Sequence, residues 1–314
     1  MTTSNGTRIA AALVASAAAV SLAACASSKS TASSNPLAPS AAAGGGSDSV
    51  TIGGNNFSES TLLADIYGEA LKAKGVKVSY KLNIGSREVS YGLLKSGAVT
   101  LMPEYNGALL SYLDKTAIPG SAADTDTQLK AKLDPSLQAL NHAAAEDKDA
   151  LVVNKQTADK LHLTKDSSIS DLATQAKTLV IGASPEFQTR QQGLLGLKSV
   201  YHLDFKSFKA LDAGGSLSEA ALKNNSVQVA DIFTTDSLIG SEGWIALKDP
   251  SNLFGFQNVI PVGSKKLSST AVDALNAVSA KLDTETLMTL DGQVGKGGDP
   301  LTVAQTWLKS QGLA

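Results

Sequence analysis

From residue 50 onward, short apolar runs alternate with apolar residues at helical spacing. Val50-Thr51-Ile52-Gly53 reads as a strand. Leu62, Leu63, Ile66, Tyr67, Ala70 and Leu71 then recur at helical intervals over 61–74, with Ser58 or Ser60 as the N-cap and Gly75 as terminator. Residues 76–82 alternate as a second strand, and Gly85-Ser86-Arg87-Glu88 opens a helix over 89–95 that Gly97 closes. Residues 98–103 form a third strand, stopped by Pro103 because proline has no N–H for the ladder. Glu104-Tyr105-Asn106-Gly107 leads from it into a helical pattern over 108–113. Strand, helix, strand, helix, strand with short links predicts a parallel sheet. Ligands gather beyond the carboxyl ends of such strands, where the loops at Asn55-Asn56, Gly85-Ser86-Arg87 and Glu104-Tyr105-Asn106 fall.

A second α/β set follows a polar, helical region over 124–141. Its extended segments are 149–154, 179–182, 205–211 and 227–233, and its helices 157–161, 193–201 and 216–223. Two of its strand ends again carry polar and aromatic groups, Pro185–Arg190 and Phe233-Thr234-Thr235-Asp236. The chain returns through 253–262 and closes with helical segments over 269–282 and 302–309. The pattern predicts an α/β protein of two lobes, 50–148 with 258–314 and 149–257, joined by two hinge crossings with a ligand cleft between them.

The first 49 residues follow other rules. One arginine, Arg8, precedes an apolar, alanine-rich run over 9–24 that is shorter than the ~20 residues needed to span a bilayer. A charged start, a short apolar core and small residues at its end predict a secretory signal peptide over 1–24. Leu22-Ala23-Ala24-Cys25 resembles a bacterial lipobox, which implies a lipid on Cys25, the only cysteine of the chain. Residues 26–49 are almost all Ser, Ala, Gly and Pro, too poor in large apolar groups to fold. The expectation is a lipidated cysteine and disordered tether over 25–49, with a reach on the order of 25–30 Å. It places the protein outside the cell membrane, anchored to its outer face.

Charge and motifs narrow the function. With 27 basic and 29 acidic residues the 314-residue chain lacks the basic balance of a nucleic-acid partner. One cysteine permits no intrachain disulfide, and His142, His162 and His202 are too scattered to ligate a metal. No Gly-x-Gly-x-x-Gly, P-loop or Gly-x-Ser-x-Gly pattern occurs, and no histidine sits at the polar strand ends. No cofactor, metal or catalytic residue is expected, and the protein is not read as an enzyme.

Three motifs carry a resemblance: Met102-Pro-Glu-Tyr105-Asn-Gly107, Pro185-Glu-Phe187-Gln-Thr-Arg190 and Val229-Ala-Asp231-Ile-Phe-Thr-Thr235-Asp236. With Asp283-Thr-Glu-Thr286, they resemble the substrate-binding proteins of ABC importers for glycine betaine, choline, carnitine and related osmoprotectants. The resemblance runs from about Val50 to Leu313 and implies a type II periplasmic-binding-protein-like fold. It also implies a small solute and the importer's permease and ATPase as partners, and a monomer. A quaternary ammonium has no N–H, so aromatic faces bind it, each contact contributing roughly 0.5–2 kcal/mol. Tyr105 is similar to one aromatic wall of the family, and Phe233 and Phe256 fall where others occur. Arg190 matches the arginine that grips a solute carboxylate, and Asn55 and Asn258 are suited to amide hydrogen bonds. Ser86 and Thr234, at strand ends, complete the candidate site. Glu104 is read as structural, pairing across the cleft, and Asp236 as a cap or hinge contact. The sequence departs from the family at His142-Ala143-Ala144-Ala145-Glu146, where a tyrosine is usual, at Phe233, in place of a tyrosine, and at Gln192, in place of an aspartate. Those departures point to a larger or flatter solute. The alternative is a different small solute, non-quaternary or aromatic, taken up for import or sensing.

Overall fold

The computed structural model describes residues 49–314. The expected leader, Cys25 and the tether lie outside the described residues, apart from Ser49. In chain order the first set comprises β1 (Ser49–Gly53), α1 (Ser58–Ala73), β2 (Lys77–Lys81), α2 (Arg87–Ser96) and β3 (Leu101–Tyr105). α3 (Asn106–Leu113), α4 (Ala122–Lys132) and β4 (Leu137–Ala139) complete it. The second set runs β5 (Asp149–Val153), α5 (Lys155–Leu161), β6 (Val180–Ala183), α6 (Leu194–Tyr201), β7 (Ser207–Ala210), α7 (Ser216–Lys223), β8 (Val229–Phe233), α8 (Leu238–Ser241) and β9 (Ile245–Ala246). β10 (Val259–Ser264) returns to the first sheet, and α9 (Ser269–Ser279), α10 (Thr284–Gly295) and α11 (Pro300–Ser310) pack on that side.

Two mixed five-stranded sheets result, ordered β2-β1-β3-β10-β4 and β7-β6-β8-β5-β9. Each has three parallel strands at one side, as the strand–helix–strand links require, and an antiparallel strand contributed by a crossing. The two crossings run side by side, with Glu146 bridged to Asn258, Asp147 N–H donating to Gln257 O and Val259 N–H to Ala145 O. Both faces of each sheet are covered. On β10, Val259 faces a core with Ile52, Leu101 and α1, while Ile260 faces Met102, Leu109 and Leu129.

The structure departs from the sequence expectations at several places. Pro103 lies inside β3 rather than ending it. It stands opposite Pro261 of β10, whose carbonyl turns away to accept from Leu140 N–H, so the two prolines form a pair that exchanges no ladder bonds. The region 124–141 is only half helical: Asp134 accepts from Ser136 N–H and Oγ, turning the chain into β4. α10, not foreseen as a separate helix, begins at Asp283, which caps it by accepting from Thr286 N–H. Finally, α1 starts at Ser58 with no side-chain cap, because Ser60 Oγ instead accepts from Asn55 N–H at 2.8 Å.

Candidate functional site

A cavity of about 370 Å³ lies where strand ends of both sheets meet, within the range of small-molecule sites. The first lobe contributes Asn55, Asn56, Phe57, Ser86, Arg87, Tyr105 and Ala108. The crossings contribute Asp147 and Gln257, and the second lobe Asp149, Ser184, Pro185, Glu186, Arg190, Leu211, Asp212, Ala213, Leu217, Asp231 and Phe233.

Three aromatic rings cluster on its wall. Phe57 stands 5.4 Å from Phe233 and 6.2 Å from Tyr105, centroid to centroid, tilted by 48° and 33°. Each ring is fixed from behind. The loop carrying Phe57 is held by the Asn55–Ser60 bond and by Asn56 N–H donating to Gly85 O. Tyr105 donates its hydroxyl to Glu59, whose second oxygen accepts from Thr235 Oγ1 at 3.0 Å; Thr235 also bonds Asp147. Phe233 lies against Gly214, where a Cβ would stand 2.9 Å from the ring and where φ is +65°. Both features call for glycine there.

The charged groups are arranged less symmetrically. Arg87 and Glu104 form a buried fork-to-carboxylate pair, with Nε 3.1 Å from both oxygens and a terminal nitrogen at 2.8 Å. Both belong to the first lobe, so Glu104 does not pair across the cleft as its position in the sequence suggests. Arg190 does reach across, with its fork on Glu88 at 2.9 and 3.1 Å. Burial works against the Glu88 charge, but the hydrogen bonds of Arg190 and Ser86 hold its carboxyl down at about 2. Asp147, Asp149 and Asp231 are pushed up by burial. For Asp149 the charges of Arg190 and Arg87 act the other way, whereas for Asp231 the charge of Asp149 adds to the rise. Asp212 is occupied in starting α7, accepting from the N–H groups of Leu217 and Ser218. A smaller cavity of about 190 Å³ shares Arg87, Ala108, Asp149 and Arg190 with the first and is lined also by Glu88, Tyr112, Lys115 and Gln192.

Of the residues singled out in the sequence, Asn55, Ser86, Tyr105, Arg190 and Phe233 line the main cavity. Thr234, Phe256 and Asn258 are absent from its lining and serve the crossings. Thr234 Oγ1 accepts from Lys148 N–H, Phe256 lies under the Lys148 ammonium at 5.6 Å, and Asn258 Nδ2 donates to Ala143 O. Asp236, ahead of α8, accepts from Leu238 N–H at the start of that helix. Ala143 and Ala145 are fully buried in the first lobe's core, away from the cavity. Phe57, Asp147, Asp149 and Asp231 were not singled out as site residues, although Asp231 lies in one of the three motifs. An aromatic residue in an already recognised strand-end loop was the available signal for Phe57. For Asp149 and Asp231 it was a carboxylate within an apolar strand. Among the described residues no group of three or more His, Cys, Asp or Glu side chains is placed to hold a metal ion.

Two α/β lobes joined by paired crossings, with an aromatic and acidic cavity between their strand ends, have the architecture of a solute-binding protein. Residues 48–310 match the family model described as the substrate binding domain of ABC-type glycine betaine transport systems, and the chain belongs to that family. It is an extracytoplasmic substrate-binding protein of an ABC importer, in a family of transport binding proteins rather than enzymes. The glycine betaine-binding protein YehZ of Escherichia coli is 27% identical over 277 residues, spanning 84% of this chain and 90% of its own. A glycine-betaine-binding protein of Pseudomonas aeruginosa is 27% identical over 284 residues, 85% of this chain and 89% of that one. A crystal structure described as a glycine betaine/carnitine/choline ABC transporter superposes with a TM-score of 0.66 at 24% identity, covering 84% of this chain and 99% of its own. At that identity the likeness concerns the fold, which is of the type II periplasmic-binding-protein kind.

Proposed function

We propose that the quaternary ammonium of the solute sits among Phe57, Tyr105 and Phe233. The lobes 50–148 with 258–314 and 149–257 close around it, and Asn55, Ser86 and Arg190 complete the enclosure. The observation that carries this reading is the aromatic cluster on the wall of a cavity that also holds Asp147, Asp149 and Asp231. Ring faces attract a cation that offers no hydrogen-bond donor. The solute then passes to the permease and ATPase of the importer. The lipobox supports a lipid on Cys25 after removal of residues 1–24, with residues 26–49 linking the anchor to the folded part. We take the protein to act as a monomer.

Titration calorimetry with glycine betaine, proline betaine, choline and carnitine tests the reading. At least one is expected to bind, and Phe57→Ala, Tyr105→Ala and Phe233→Ala are each expected to weaken it by about tenfold or more. Failure of the folded protein to bind any quaternary ammonium overturns it. Labelling with a radioactive fatty acid, lost in Cys25→Ala, tests the anchor.

A further inference from the structure

Behind the aromatic wall, three buried oxygens line up from one lobe to the other. Thr235 Oγ1, on the chain just beyond Phe233, lies 3.0 Å from Glu59 Oε2 and 3.0 Å from Asp147 Oδ1. A threonine hydroxyl has a single hydrogen, so it donates to one of these carboxyls and not to both. Its lone pairs then face the other, which must bring a hydrogen of its own or repel them. Asp147 Oδ1 already accepts from Thr235 N–H at 3.1 Å and from Thr234 Oγ1 at 3.3 Å, so it is the accepting end. Glu59 Oε1 accepts the Tyr105 hydroxyl. One assignment satisfies these contacts together: Glu59 Oε2 carries a hydrogen and donates it to Thr235 Oγ1, and Thr235 donates its own to Asp147.

Among the described residues no lysine, arginine or histidine pairs with Glu59, Asp147 or Asp291. The groups facing Glu59 are Asp291 of α10, Tyr105 of β3 and Asp147 of the crossing before β5; Asp149 acts on Asp147 in turn, and Asp236 on Asp291. The N-terminus of α1 favours a charge on Glu59, but burial first and the charge of Asp291 next push its carboxyl well above the usual range.

Glu59 is also the node that the three rings share. Phe57 lies on the same turn of chain, Tyr105 bonds Glu59 directly, and Phe233 leads into Thr235. We propose that Glu59 is a positioning residue for the solute site and acts as a neutral acid: its proton, donated to Thr235, clasps the lobe bearing Phe57 and Tyr105 to the lobe bearing Phe233. This rests on the reading of the rings given above. Loss of the proton leaves two carboxylates on either side of one hydroxyl and opens the clasp, so solute affinity should fall as pH rises. The cavity's other carboxyls act in the opposite sense, because ionising Asp147, Asp149 or Asp231 favours a cation.

Titration calorimetry with glycine betaine and choline, on the parent, Glu59→Gln and Glu59→Ala from about pH 6 to about pH 9, tests the proposal. Neither probe titrates in that range. Glutamine keeps an acceptor for Tyr105 and a donor for Thr235 but cannot ionise. The parent is expected to lose at least about fivefold in affinity across the range. At the alkaline end its binding should take up protons, seen as a heat that depends on the ionisation enthalpy of the buffer. Glu59→Gln should stay within about threefold of the parent at the acid end and lose the fall with pH, whereas Glu59→Ala should be weaker by about tenfold or more throughout. A parent affinity that is flat or rises with pH would overturn the proposal. So would a fall in Glu59→Gln equal to the parent's, or Glu59→Gln as weak as a folded Glu59→Ala at the acid end. If neither probe binds, the quaternary ammonium reading falls, and the clasp is read from thermal unfolding without solute. The midpoint should then drop less with rising pH in Glu59→Gln than in the parent, and an equal drop rejects the clasp.

Discussion

Asp291 of α10 is buried beside Glu59, the carboxylate that Tyr105 and Thr235 share. Burial, opposed by the contact with Glu59 and aided by the charges of Asp147 and Asp236, pushes Asp291 up to about 7. Glu59 and Asp147 are pushed up as well, by burial first and then by neighbouring carboxylates. A carboxyl whose folded value exceeds its unfolded one binds its proton more tightly in the folded state. Its stabilisation is therefore complete below the unfolded value and is lost as pH rises through the folded value. The free protein should lose stability between about pH 4 and pH 8, and Asp291 should account for on the order of 1–3 kcal/mol of that loss. Asp291→Asn removes one ionisation without changing the volume. Thermal unfolding should show a flatter pH profile and a higher midpoint at pH 8 than the parent; an unchanged slope would mean that Asp291 does not titrate in this window.

Among the elements, the segment from β3 into α3 packs directly against the returning crossing. A Cβ at Gly107 would collide with the carbonyl of Phe256 on the returning crossing. Asn106 Oδ1 accepts from both Gly107 N–H and Asn258 N–H, so the motif ties α3 to that crossing. Backbone does not yield as a flexible side chain does. Gly107→Ala should therefore destabilise the protein by about 1–3 kcal/mol, read as a lower denaturant midpoint at constant m-value. Most helices and strands were legible in the sequence because they combine a clear period with a local stop, as α2 does with Gly97 in the left-handed region. Pro103 misled because the rule that proline breaks a ladder holds only where its N–H position faces a neighbour, and its opposite number Pro261 is invisible from local sequence. The site was half legible for the same reason. Tyr105 and Arg190 sit in recognisable motifs, whereas Phe57 and Asp231 gain meaning only when the two lobes are brought together. Thr234, Phe256 and Asn258 are each the immediate neighbour of a cavity residue, where side chains alternate between cavity and hinge.

At the scale of the whole molecule, two kinds of contact hold the lobes together, and they differ in their response to solvent. Glu59, Thr235 and Asp147 join the lobes within the buried hinge, out of reach of dissolved ions. The Glu88–Arg190 pair joins them at the shared wall of the two cavities, with its side chains 38% and 31% exposed. Because the Glu88 carboxyl is held at about 2, the pair stays charged throughout the range in which the cavity carboxylates titrate. Salt can weaken it where pH cannot. A half-exposed pair contributes at most about 1 kcal/mol, so removing it should shorten the closed state without changing how the rings meet the solute. Glu88→Gln should accordingly raise the solute dissociation rate by about two- to fivefold while leaving the association rate nearly unchanged, as followed by stopped-flow tryptophan fluorescence. Raising ionic strength should speed dissociation from the parent protein more than from Glu88→Gln, since only the parent has a charge pair to screen. Equal salt dependence in the two would show that the lobes are held by the hinge contacts and the solute alone, and that the Glu88–Arg190 pair forms after closure without supporting it.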